Sequence, residues 1–315
     1  MSKEGLMRAP NVFWPVFKQL EERAVQLTRD IHVCDDQLFV YSSVIADVII
    51  RAVIEIEAIT KQLYQREFGG AGAEKENSEN TDHKRFDDLL KKICGKWCLD
   101  EKVVFISHYN CFQSEKVLLP FKKNVSKTGG QKQTYSWNNA YQDLKHDRSK
   151  YLPSGNLRNM FSALSAAYLL NLYFRDEVID LKKDSLASSL NPAMGSSMFS
   201  IEIATDRGFK GDGTANVADN YRSAAVYVTS TENTRLAAAA VLQKAQNAAN
   251  AKLQEKILTD PTVLEILSSG DGDVDPLQAL RIQSMREEFN SVGDEIKKTQ
   301  NALEYEARIN KNQLV

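Results

Sequence analysis

Apolar residues recur at steps of three and four from 11 to 31, through Phe13, Val16, Phe17, Leu20, Ala24, Leu27 and Ile31. That period predicts an amphipathic helix, and Pro15 fits its first turn. A longer helix is predicted from about 36 to 68. Its positions Leu38, Tyr41, Ile45, Val48, Ile49, Ala52, Ile56, Ile59 and Leu63 form a face wide enough for the centre of a bundle. Gly69 and Gly70 stop it, and the polar stretch to Asp82 reads as a loop. Phe86, Leu89, Leu90, Ile93 and Trp97 predict a third helix over about 83–97. Between 100 and 120 the run Val103 to Ile106 fits either a strand or a buried helical turn. A loop rich in Lys, Gly, Gln and Thr comes next over 121–136, then a short helix over 137–148. Leu157, Met160, Phe161, Leu164, Ala167, Tyr168 and Leu172 define another helix over 156–174.

The pattern then changes. Residues 184–232 are rich in Ser, Gly, Ala, Asn and Thr. Met198 to Ile203 and Ala225 to Thr229 have strand character and flank a long loop over 206–220. An Ala-rich helix is expected over 233–258. A last helix begins with Asp275 as N-cap and Pro276 at the first helical position. Its seam of Ile282, Met285, Phe289, Val292, Ile296, Thr299 and Leu303 steps like about three heptads. The expected fold is therefore mainly α: an N-terminal helical bundle over 1–182, a small β-hairpin module over 183–232, and a helical C-terminal region over 233–315. An apolar seam must be covered, which points to self-association or a protein partner through the last helix.

Composition narrows the class. The chain has 315 residues and a formal net charge of −2, which does not indicate a globally basic nucleic-acid binder. A local patch remains open: Lys116, Lys122, Lys123, Lys127 and Lys132 make the segment before Trp137 basic. Lysines there could contact an RNA backbone while Tyr135 and Trp137 stack on bases; the plainer reading is a solvated connector. The apolar run from Val44 to Ile59 is interrupted by Asp47, Arg51, Glu55 and Glu57, which argues against a membrane span. Four cysteines and an N-terminus without an apolar signal region suggest a reducing cytoplasm. Cys94, Cys98, His108 and Cys111 are the residue types of a zinc site, but Cys94 and Cys98 also sit at i, i+4 as ordinary buried thiols do. The reading taken is that no metal and no cofactor is used.

The densest chemistry lies in Trp137 to Arg148, which collects Lys145, His146, Asp147 and Arg148 behind Tyr141 and Gln142. An imidazole can take a proton from a hydroxyl and return it to a leaving group. Neighbouring Lys and Arg can hold a phosphate. The plainer reading is a helix C-terminus, where basic side chains complement the dipole, with Trp137 and Tyr141 as core contacts.

Leu119-Pro120-Phe121, a loop, then Trp137-x3-Tyr141-Gln142-x2-Lys145-His146-Asp147-Arg148 and an apolar helix resembles bacterial proteins with a W-x-x-Y-N-x-x-K-H-D-R core. These look like outlying members of the HEPN superfamily: small helical bundles, many of them metal-independent RNA endonucleases of defence and toxin–antitoxin systems. The resemblance spans roughly residues 10–180. It implies that His146 is the motif histidine and Gln142 the motif polar residue. Tyr141 stands where the family has arginine, so Lys145 or Arg148 would have to stabilise phosphate charge. It also implies a dimer-borne site and a supporting polar residue on an earlier helix, Glu55 or Asp47, although Glu55 also fits an i, i+4 pair with Arg51. Two functions are expected from this. One is an RNA-directed protein, a metal-independent endoribonuclease of stress response or anti-phage defence. The other is a non-enzymatic interaction protein that has lost catalytic competence.

Overall fold

The computed structural model describes residues 11–69, 86–107, 112–124, 134–209, 215–259, 261 and 275–313. Among these the protein is mainly α, with two sheets as a substantial minority.

Helix α1, Phe13–Asp30, starts two residues before Pro15, because Asn11 Oδ1 accepts from the backbone N–H of both Phe13 and Trp14 at 3.1 Å. Helix α2 runs over Ser43–Phe68. It begins later than the apolar pattern predicts, and tertiary hydrogen bonds give the reason. The Asp35 carboxylate accepts from the backbone N–H of Gln113, Ser114 and Glu115 at 2.7–3.2 Å. The carbonyls of Val40 and Leu38 accept from Leu157 and Arg158 at 3.1 and 2.9 Å. These bonds hold 35–41 out of the helix, and Ser42 caps α2 by accepting from Ile45 N–H at 3.1 Å. Helices α3, Phe86–Trp97, α4, Ser136–His146, and α6, Leu157–Arg175, all pack against α2, as α1 does, with a single turn α5, Arg148–Tyr151, between α4 and α6. Helix α6 is buried on nearly every face from Leu157 to Phe174. It is therefore the core element and α2 its main partner.

The ambiguous stretch after α3 is a strand, β1, Val104–Ile106. It pairs antiparallel with β2, Val117–Leu118, and with β4, Phe199–Ile201. A second sheet has the order β3, Ile179–Lys182; β8, Tyr305–Ile309; β7, Val226–Ser230; β5, Ile203–Phe209; β6, Ala215–Val217. The expected hairpin module is thus replaced. The segment 198–203 splits between two sheets, β5 runs parallel to β7, and β6 lies inside the expected loop. Pairing depends on partners far along the chain, which alternation alone does not encode.

Two compact units divide the chain: 1–179 with 186–228 and 307–315, and 180–185 with 229–306. They do not match the three consecutive segments expected from composition. In the second unit the predicted last helix is two, α8, Asp275–Ser291, and α9, Gly293–Asn301, both packed on α7, Glu232–Thr259. Ile282, at the start of the seam, is 56% exposed. Val292, Ile296, Thr299 and Leu303 are half-buried, and α7 supplies a stripe on which Ala245 and Ala249 are buried. The C-terminal part of the seam is therefore covered within the chain.

One buried charge in the first unit sets a pH dependence. Lys102 is 0% exposed and donates to the Arg222 carbonyl at 2.8 Å. Desolvation pulls its pKa from 10.5 down to about 8. Between those values the unfolded chain binds the extra proton, so raising the pH favours the folded state. The stability of the wild type relative to Lys102→Met should rise from pH 8 to 10.5 by on the order of 1–3 kcal/mol. Urea denaturation at both ends of that window measures it, and a constant difference would refute the depressed pKa of Lys102.

Candidate functional site

Helix α4 sorts the motif by period. Trp137, Ala140, Tyr141 and Leu144 face inward, while Gln142, Lys145 and His146 are exposed. Trp137 is 0% exposed, its Nε1 donates to the Pro120 carbonyl at 2.8 Å, and its ring stacks on Tyr135 with centroids 5.2 Å apart. Phe121 meets both rings edge-on. The expected part of Trp137 in base stacking fails on burial: the ring is a core contact. This aromatic cluster ties the Leu119-Pro120-Phe121 segment to α4, giving the spacing of the motif a packing cause.

His146 is the last residue of α4, and its imidazole has no hydrogen bond or ion pair among the described residues. The helix ends there because Asp147 turns the chain and caps α5, accepting from Lys150 N–H at 3.1 Å and from the Ser149 hydroxyl at 2.8 Å. Both bonds hold its carboxyl below the usual range, Ser149 first. Asp147 is thus occupied as a cap.

The two cations flanking His146 lean on different parts of α2. Arg148 pairs with Asp47 at 3.0 Å. Lys145 lies 5.3 Å from the Tyr141 ring centroid and close enough to Glu57 to stabilise its carboxylate. Burial is the larger influence on Glu57 and raises its pKa. Asp47 and Glu57 are ten residues apart, roughly 15 Å along the helix axis. Glu55 behaves as the i, i+4 reading suggested: burial raises its pKa and Arg51 opposes the rise. The carboxylates of α2 that reach the motif are Asp47 and Glu57, and Glu57 is the one sequence reading missed.

Around the same turn lie exposed aromatics. Phe39 and Tyr41 are 65% and 51% exposed, and Tyr41 bridges to Asn156 just after α5. Tyr151 is 37% exposed with Lys150 Nζ 4.9 Å from its ring centroid, and the Arg158 guanidinium lies 5.2 Å from that of Phe39. Both Tyr41 and Phe39 fall in a segment the period assigns to α2, which concealed them.

Of the basic arm, Lys122 and Lys123 are exposed, with Lys123 Nζ 5.3 Å from the Tyr135 ring centroid. Lys127 and Lys132 lie outside the described residues, as do His108 and Cys111 of the zinc-type set. Cys94 contacts the Tyr135 hydroxyl, whereas Cys98 accepts from the Asn312 amide at 3.2 Å. Among the described residues no group of three or more His, Cys, Asp or Glu could hold a metal ion. None of their helices is long and apolar enough to cross a membrane. Comparison with protein-family models, with curated proteins and with solved structures finds no match to this chain.

Proposed function

We propose that this chain is an RNA-directed, HEPN-like protein that cleaves RNA without a metal, in bacterial stress response or anti-phage defence, with His146 as the proton-transfer group. The observation that carries the proposal is the exposed imidazole of His146, unpartnered among the described residues, at a helix end between two cations, Lys145 and Arg148. In the reaction the 2′-oxygen of the RNA attacks the adjacent phosphorus and the 5′-oxygen leaves. A proton passes from the 2′-hydroxyl to a base, and one is delivered to the leaving oxygen. Lys145 and Arg148 are the side chains positioned to offset charge on the phosphate. Gln142, one turn before His146 on the same exposed side, can hydrogen-bond a phosphate or ribose oxygen. Stacking falls to Phe39, Tyr41 and Tyr151, whose rings are exposed, in place of Trp137.

RNA cleavage in EDTA by wild type and by His146→Ala tests the reading. Absence of cleavage by the wild type would favour the non-enzymatic alternative, an interaction protein acting through its C-terminal region.

The basic arm supplies a second test. Replacing Lys122, Lys123 and Lys127 by Gln should weaken RNA binding and flatten its dependence on salt, because each phosphate contact releases counterions. The slope of log affinity against log salt should shrink by up to about 0.7 per lost contact on a single strand. An unaltered slope, measured by fluorescence anisotropy, would leave the arm as a connector.

A further inference from the structure

One side of α7 is exposed and uncharged along most of its length. Leu236, Asn247 and Leu258 lie eleven residues apart, and Ala240 with Ala251, and Gln243 with Gln254, repeat at the same interval. Eleven residues are close to three turns, so these positions fall in one straight stripe roughly 33 Å long. Every one of them is exposed, Leu236 at 58% and Leu258 at 74%. The buried Ala245 and Ala249 lie on the opposite side, from which Lys256 pairs with Glu287 of α8 at 3.5 Å. The exposed side of a helix ordinarily carries charge, and this stripe carries none. We infer that the stripe is the interface for a second copy of this chain, bound antiparallel about a two-fold axis at Asn247.

The order of side chains along the stripe selects that partner. An isologous pair must match its own face read in reverse. Reversed about Asn247, Leu236 meets Leu258 of the second copy, so both ends of the contact bury a leucine pair. Gln243 meets Ala251 and Gln254 meets Ala240, a long side chain against a methyl each time, which lets the helices interdigitate. At the centre Asn247 meets itself. A carboxamide carries both a donor and an acceptor, so two of them satisfy each other. Within one copy Gln243 Nε2 donates to Asn247 Oδ1 at 3.0 Å, which leaves the Asn247 Nδ2 group to donate across the axis.

Packing and charge agree on the direction. A parallel pair would set Gln243 against Gln243 and Ala240 against Ala240, crowding one level and emptying the next. The antiparallel pair instead brings Lys244 of one copy and Glu255 of the other to the same edge, about 8 Å apart along the axis. Neither has an ion-pair partner among the described residues. Helix α7 belongs to the second compact unit and the His146 turn to the first, so the inference is independent of the RNA reading.

Asn247 gives the test, because only there does a residue face itself across the axis. Sedimentation equilibrium of the full chain should show a dimer at roughly 100 µM. Asn247→Glu and Asn247→Lys each set like charges face to face and should weaken dimerisation by about tenfold or more. Both residues suit a helix better than asparagine, so Tm should not fall. An equimolar mixture of the two variants should regain the dimer with one chain of each. Gln246→Glu, about a quarter turn off the stripe, should leave the dimer unchanged. Direction is read by cysteine cross-linking. On mild oxidation a mixture of Leu236→Cys and Leu258→Cys should form a disulfide between copies, while each variant alone cross-links no more than wild type. A wild type that stays monomeric at that concentration would overturn the inference and leave the stripe to a different protein. So would a dimer indifferent to Asn247→Glu, a mixture that stays monomeric, or cross-linking within Leu236→Cys alone, which marks a parallel pair.

Discussion

His146→Ala is expected to lower the rate of RNA cleavage by about 10²-fold or more, the usual worth of a positioned acid–base group. The thermal midpoint should hardly move. The imidazole is exposed and has no hydrogen-bond partner among the described residues, so truncating it exposes no buried group and opens no cavity. The flanking cations should behave differently from each other. Arg148 is engaged with Asp47 at 3.0 Å and must leave or share that pair to meet a phosphate. Both partners are about half exposed or more, which keeps the pair weak and the exchange cheap. Lys145 is held by a ring face and the field of Glu57. Asp47→Asn should therefore release Arg148, and Glu57→Gln should loosen Lys145. Single-turnover cleavage in EDTA at saturating RNA separates these effects from binding. Equal rates for wild type and His146→Ala would remove His146 from the mechanism and, with it, the main support for the nuclease reading.

How far the sequence foretold these features depends on the range of the interactions involved. Helices α1, α3, α4, α6 and α7 are legible in their apolar period or composition, because burying one stripe is a local demand on spacing. The start of α2 was hidden because Asp35, Leu38 and Val40 are held by backbone groups from two distant segments. Strand β1 pairs with β4 some 95 residues later in register, Val104 opposite Ile201 and Ile106 opposite Phe199. No local pattern carries that partnership. The C-terminal strand β8 was missed for the same reason. At the candidate site the period sets Trp137 and Tyr141 on the face away from Gln142, Lys145 and His146, and burial favours the plainer reading of Trp137 as a core contact over its reading as a stacking ring. The period could not show that Glu57, rather than Glu55, approaches Lys145, since that depends on how α4 crosses α2. Glu21 is a sign the sequence reading passed over. It falls on the same stripe as Phe17, Leu20 and Ala24, and a carboxylate on an apolar face requires partners from elsewhere.

Those partners make Glu21→Ala the substitution with the largest expected cost to stability. Glu21 is 0% exposed. Its carboxylate accepts from Ser197 N–H at 2.9 Å, Met198 N–H at 3.1 Å and the Ser197 hydroxyl at 3.1 Å, and also from the Ser196 hydroxyl. Lys18 supplies the counter-charge and reaches across to the Gly195 carbonyl at 3.1 Å and the Ser197 hydroxyl at 3.0 Å. The clasp therefore fixes the chain immediately before β4, and β4 is what closes the first sheet on β1. Alanine would leave the Ser197 N–H without its acceptor, the Met198 N–H with only the Ser196 hydroxyl oxygen at 3.1 Å, and Lys18 without its carboxylate. Breaking a buried charged network in this way costs about 3–5 kcal/mol. For a chain of this size that is a fall of roughly 6–20 °C in Tm. Glu21→Gln keeps the shape and one acceptor oxygen, so its loss should be smaller, with amide exchange at Ser197 and Met198 accelerating before the rest of the sheet. Differential scanning fluorimetry with hydrogen exchange on both variants checks the order. A Tm within about 2 °C of wild type for Glu21→Ala would show that the clasp contributes little, and that β4 is held by its pairing with β1 alone.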